Sequence, residues 1–165
     1  MFDRILVTTD GSPLGNLALP YAADLARHYS SALTVLYVVP TADTPLALSE
    51  GAAYAYDFQA EQDRLKNEGE KILDHAREVV NLPGTRFLRR DGTGPKLAQM
   101  IVNEAEQEDA QLVVMSTHGR SGLAHLFLGS VAEEVLRKVR IPVFLVREQA
   151  QSGRVHPGGV QNVVT

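Results

Sequence analysis

The chain predicts an α/β fold built on a doubly wound, five-stranded parallel sheet, and three observations predict it. Five short runs, RILVTTD (4–10), ALTVLYVV (32–39), TRFLRRD (85–91), QLVVMST (111–117) and IPVFLVR (141–147), alternate with longer segments of helical period. Four of these runs are dense in Val, Leu and Ile without polar alternation, as strands covered on both faces should be. A length of 165 residues suits one domain with a substantial core.

The elements follow in order. After the first run, Leu14, Ala18, Ala22, Leu25 and Ala26 mark a helix. Its start reads Ser12-Pro13, an N-cap serine followed by proline at the first helical position. The second run leads into PTADTPLALSEGAAY (40–54), a long connection expected to act as a flap near any site. Phe58, Leu65, Ile72 and Val79 then recur every seven residues, with Leu73 and Ala76 widening the stripe, so a long amphipathic helix is expected over 55–80. The third run is the polar one, with only Phe87 and Leu88 clearly apolar, and belongs at a sheet edge. Leu97, Ile101 and Ala105 mark a third helix, opened by Gly94-Pro95. Val131, Val135, Leu136 and Val139 mark a fourth, whose start from Ser130 to Glu133 has capping-box spacing. Strands separated by helices run parallel through right-handed crossovers, and a flavodoxin-like strand order of 3-2-1-4-5 is expected. Residues 1–147 form the expected domain, and 148–165 are read as a flexible polar tail.

Composition excludes several classes. With no cysteine, disulfides, thiolate catalysis and Cys-ligated metals are out. A net charge of -4 provides no basic field for nucleic acid or anionic membrane. The opening MFDRILVTTDG is too poor in apolar residues for a signal peptide, and no run reaches the roughly 18 apolar residues of a membrane span. A cytoplasmic location is expected.

In open α/β sheets, ligands bind beyond the carboxyl ends of the strands where strand order reverses. The candidates here are Thr8 to Ser12, Val38 to Pro40 and the stretch from Ser116. Asp10 is either a carboxylate for a sugar hydroxyl or Mg²⁺, or a turn-forming residue bonded to its own backbone. Gly119, Gly122 and Gly129 allow backbone to approach an anion, Gly129-Ser130 opens a helix whose free amides favour negative charge, and Arg120 adds a cation. The same glycines also serve as plain turn formers. No GxxxxGK[ST] motif is present, and GTGPKL at Gly92 has Leu97 where the third glycine of GxGxxG belongs.

At this point RILVTTDGSPLGNLALPYAADLA, ALTVLYVV and LVVMSTHGRSGLAHLFLGSVAEEVLRKVRIPVFLV resemble the universal stress protein family over roughly residues 2–147. Its nucleotide-binding members carry G-x₂-G-x₉-G-[ST]. Here Ser116 stands for the first glycine, Gly119 is the second, and Gly129-Ser130 closes the motif. The resemblance implies a Rossmann-like homodimer binding ATP, AMP or ADP, with Mg²⁺ near Asp10. The base would lie near Thr8, Thr9 and Val38, mainly against backbone, and Asp10 would serve the ribose or phosphates. Gly119, Gly129, Ser130 and the following amides, Val131 first, would hold the phosphates, with Met115, Ser116 and Arg120 in the same nucleotide site. It also implies pairing of the last strand, with Pro142, Val143 and Leu145, across a twofold axis, and a regulatory role in stress response exercised through an unidentified protein partner. The alternative within the family is a nucleotide-independent dimeric interaction module, which Ser116 favours.

Signs of catalysis are thin. His118 is a phosphate contact, a base or a loop histidine, and His118 and His125 lack a carboxylate at ligand spacing. Ser12 and Ser130 have no evident base. Glu68, Glu70, Glu104, Glu106, Glu108 and Asp109 are expected on solvated helix faces. At most slow ATP hydrolysis is expected. A nucleotide-dependent transferase would carry an SGGxDS or HxGH loop after the first strand, and TTDGSP is neither.

Overall fold

The computed structural model describes residues 1–40, 58–92, 97–117 and 128–147, with helix backbone alone over 58–62. The strands are β1 (Arg4–Thr9), β2 (Ala32–Pro40), β3 (Arg86–Gly92), β4 (Leu112–Ser116) and β5 (Val143–Val146). The helices are α1 (Ala18–Tyr29), α2 (Phe58–Val80), α3 (Leu97–Gln107) and α4 (Ser130–Lys138). All neighbouring strands pair in parallel, in the order β3-β2-β1-β4-β5. The expected fold class and strand order are therefore what the chain adopts.

Successive residues of each strand alternate between two cores, as a sheet buried on both faces requires. Ile5, Val7, Leu33, Val35 and Val114 meet the α1 and α2 side with Leu19, Ala22, Ala76 and Val80. Leu6, Leu36, Val38, Val113 and Met115 meet the α3 and α4 side with Ala98, Ile101, Ala132 and Val135. Tyr37 and Val39 pack against Leu73, with Leu65 and Ile72 beside them, which accounts for the seven-residue spacing of α2.

Three local expectations need correction. The α-helix after β1 does not begin at Ser12-Pro13. Ser12 Oγ does accept the Gly15 amide at 2.9 Å, but a 3₁₀ turn over Gly15–Leu17 intervenes and α1 starts at Ala18. The Ser12 carbonyl accepts the Asn16 amide at 2.9 Å, but Pro20 has no N–H to give to the Asn16 carbonyl, so the i→i−4 ladder is interrupted there. Ser130 is likewise not an N-cap. Gly129 holds that position, without a side-chain cap, and its carbonyl accepts the Glu133 amide at 2.9 Å. Finally, Glu104 does not lie on a solvated face. It is 4% exposed, with its Oε2 and Oε1 accepting from Arg90 Nε and Nη2 at 2.8 and 2.9 Å. Position 104 falls on the inward side of α3 with Ile101 and Ala105, where only a paired carboxylate is tolerable. Glu108 is half-buried, accepting from Arg86 at 2.6 Å and Thr34 at 3.1 Å.

β3 occupies a sheet edge, as its polarity predicts. Its arginines tie it to both helical layers. Arg89 approaches Glu70 of α2 at 3.9 Å, Arg90 and Arg86 reach α3 and the residue just after it, and Arg77 of α2 lies 4.9 Å from the Phe87 ring centre. The Lys138 ammonium joins α4 to α3 through Gln99 at 3.1 Å, and its bond to Glu134 holds that carboxyl below the usual range.

Candidate nucleotide site at the switch point

Strand order reverses between β1 and β4, and the two strands run side by side with Ile5, Leu6 and Val7 opposite Leu112, Val113 and Val114. The Asp10 loop follows β1 and Thr117 follows β4, so both lie at the carboxyl end of this strand pair. Gly129 anchors that helix start by donating its amide to the Thr117 carbonyl at 2.8 Å. This bond was not visible in the sequence, and it removes the Gly129 N–H from the amides open to a ligand. The amides of Ser130, Val131 and Ala132, in the first turn, have no acceptor within the helix. They carry the positive end of the helix dipole.

The Asp10 loop is built by its own hydrogen bonds. Asp10 Oδ1 accepts the Ser12 amide at 3.0 Å and the Ser12 hydroxyl at 2.6 Å. Beneath it, Thr9 is 6% exposed; its hydroxyl donates to Asn16 Oδ1 and accepts the Gly11 amide at 3.0 Å. Asn16 Nδ2 reaches the Gly11 carbonyl at 3.5 Å. The two readings of Asp10 are thus compatible. One carboxylate oxygen holds the turn, and the turn holds the carboxylate. Thr9, predicted beside the base, has its side chain committed to this scaffold. Asn16 and Gly15 went unremarked in the sequence because nothing in their spacing signals a contact with Thr9 or Asp10.

The remaining predicted residues sort by sheet face. Val38 and Met115 belong to the core on the α3 and α4 side, with Val131 packed against it, and Thr8 shares that face by alternation with Leu6. Ser116 lies on the other face. It is opposite Val146, and two residues along from Val114, both of which sit in the α1-side core. Ser116 is also absent from the residues with positive φ, which among the described non-glycine residues are Ser30, Asn81 and Asp109. Its Cβ therefore requires no strained backbone and points away from the face bearing Thr8, Val38 and Met115. Gly119, Arg120 and Gly122 lie outside the described residues, as do His118, His125, His156, the 41–57 connection and residues 148–165.

Among the described residues no group of three or more His, Asp or Glu is placed to hold a metal, and no helix is long and apolar enough to cross a membrane. At the opposite, amino end of the sheet lies a crevice of about 160 Å³ lined by Arg4, Thr34, Arg86 and Glu108 among others. Arg86 and Thr34 already bond Glu108, and Arg4 bonds Asp109.

A doubly wound α/β domain with a polar loop and a helix N-terminus at the carboxyl end of its sheet has the arrangement in which open α/β sheets hold ligands. A model of the Universal stress protein family matches residues 1–147, and the chain belongs to that family. It is 32% identical over 149 residues to the universal stress protein YxiE of Bacillus subtilis, covering 89% of this chain and all of that one. It is 29% identical over 148 residues to the universal stress protein MJ0531 of Methanocaldococcus jannaschii, covering 90% and 84%. Among solved structures, a universal stress protein family member from Burkholderia pseudomallei is 30% identical, with a TM-score of 0.63 and 88% and 96% of the two chains covered. A universal stress protein in complex with cAMP (20% identical, TM-score 0.58, 88% and 97% covered) has the same fold. So does one from Archaeoglobus fulgidus in complex with dAMP (22%, 0.59, 87% and 97%).

Proposed function

We propose that this chain is an adenine-nucleotide-binding regulatory protein of the stress response, acting as a homodimer. The convergence of the Asp10 loop with the Gly129-anchored start of α4, at the reversal of strand order, carries this reading. The base lies against the side chains of Thr8, Val38 and Met115 and the backbone of Thr9. Asp10 meets the ribose or phosphates, and Ser130, Val131 and the glycine segment from Ser116 through Gly119 and Arg120 receive the phosphates. Family relatives bound to cAMP and dAMP support an adenine mononucleotide as the minimal ligand. ATP with Mg²⁺ is the fuller proposal. The unstrained backbone at Ser116 favours nucleotide binding over the nucleotide-independent module.

The dimer we propose forms through β5. Pro142 is exposed, Val143 and Leu145 are half-buried, and Phe144, 41% exposed, lies 6.3 Å centre to centre from the exposed Tyr21 ring. An uncharged edge strand beside exposed aromatics suits pairing with a second copy.

Calorimetric titration of nucleotide-stripped protein with ATP and Mg²⁺, AMP and cAMP tests the nucleotide reading. The expected result is one site per chain. Gly129→Val should keep the fold, because φ −59° and ψ 144° suit any residue, while its bulk beside the Ser130 and Val131 amides lowers affinity by about tenfold or more. An absence of binding to the unsubstituted chain up to millimolar nucleotide would return the assignment to the nucleotide-independent module.

A further inference from the structure

Gly15 is buried directly against the Asp10 carboxylate. A Cβ built on it would stand 1.9 Å from Asp10 Oδ1 and 2.9 Å from Cγ. The neighbour there is no flexible chain end that could step aside cheaply. Asp10 Oδ1 is held by the Ser12 amide and hydroxyl, and Ser12 Oγ by the amide of Gly15 itself. The backbone at Gly15 is helical, part of the 3₁₀ turn, so φ does not demand glycine at this position. Space beside the carboxylate is what demands it.

We infer that Gly15 is a positioning residue for the nucleotide site. By having no side chain, it lets the Asp10 carboxylate lie back over the 3₁₀ turn and present a fixed acceptor to the ligand. This rests on the nucleotide reading above. Any larger residue at 15 forces the carboxylate to rotate, releases both Ser12 donors and aims the acceptor elsewhere. Ser12 completes the device by relaying the Gly15 amide to Asp10 through its hydroxyl.

The test is a double-mutant cycle read by ATP–Mg²⁺ titration, with thermal unfolding run beside it. Gly15→Ala is expected to weaken binding by about tenfold or more, the loss typical of one misplaced hydrogen bond to a charged group. In an Asp10→Ala background there is no carboxylate to collide with, so Asp10→Ala and Asp10→Ala/Gly15→Ala should bind equally. This comparison also covers the case in which Gly15→Ala alone fails to fold. A merely structural role for Gly15 would lower affinity by the same factor in both backgrounds and overturn the inference. Unchanged affinity in Gly15→Ala while the unsubstituted chain binds would overturn it alone. Failure of the unsubstituted chain to bind any adenine nucleotide would overturn the nucleotide reading, and the inference with it.

Discussion

At residue scale, the loop after β1 depends on two glycines for different reasons. Gly15 gives room to a carboxylate, whereas Gly11 meets both a conformational and a steric demand. Its φ is +78°, and a Cβ there would stand 2.5 Å from Ile72 Cδ1 of α2. Gly11→Ala should therefore lower stability by about 1–3 kcal/mol, measured as a fall in the midpoint of denaturant unfolding at unchanged slope. An unchanged midpoint would mean that Ile72 and the turn relax without cost. Ser116 is the counter-case. The family motif has glycine there, yet the backbone is an ordinary strand end with its side chain on the α1 face. Sequence alone could not separate these cases, because the letter G records neither φ nor what lies next to the missing Cβ.

The elements themselves were legible because each rests on local period. Four aliphatic runs and one polar run became five strands, the polar one at a sheet edge. What escaped was pairing across elements. Glu104 looked like one of several acids on a wet helix face, and only the placement of β3 beside α3 turns it inward to Arg90. The helix starts escaped similarly, since Pro20 and the Thr117–Gly129 bond act outside the capping patterns. The Arg90–Glu104 pair yields a prediction for this scale. Arg90→Leu strands a buried carboxylate and should cost about 2–4 kcal/mol, less than a fully buried pair because Arg90 is partly exposed. Arg90→Leu/Glu104→Leu should recover most of that loss. Chemical denaturation of the three proteins checks it, and a double variant less stable than the single would refute the desolvation argument.

For the whole molecule, the candidate site was legible in place but incompletely in detail. The switch point follows from strand order, and strand order from the run of alternating elements. By contrast, the commitment of Thr9 to Asn16 and of the Gly129 amide to Thr117 depends on three-dimensional neighbours. The prediction at this scale concerns assembly. Leu145→Glu places a charge in the proposed pairing strand and should shift sedimentation from dimer toward monomer by at least about tenfold in dissociation constant, with nucleotide affinity per chain retained. A sedimentation profile identical to that of the unsubstituted chain would place the contact elsewhere.

The two edge strands of the sheet differ in charge, and that difference bears on the valency of the proposed assembly. β3 carries three arginines and an aspartate, while Val143–Val146 of β5 carries no charge. If two copies join at β5 about a twofold axis, both outer margins of the merged sheet are then arginine-bearing β3 strands, poor templates for another strand. A head-to-tail union of β5 with β3 would instead propagate without end. In the proposed dimer the lopsided charge of the edges would thus make the protein a terminator of its own polymerisation, with assembly stopping at two copies.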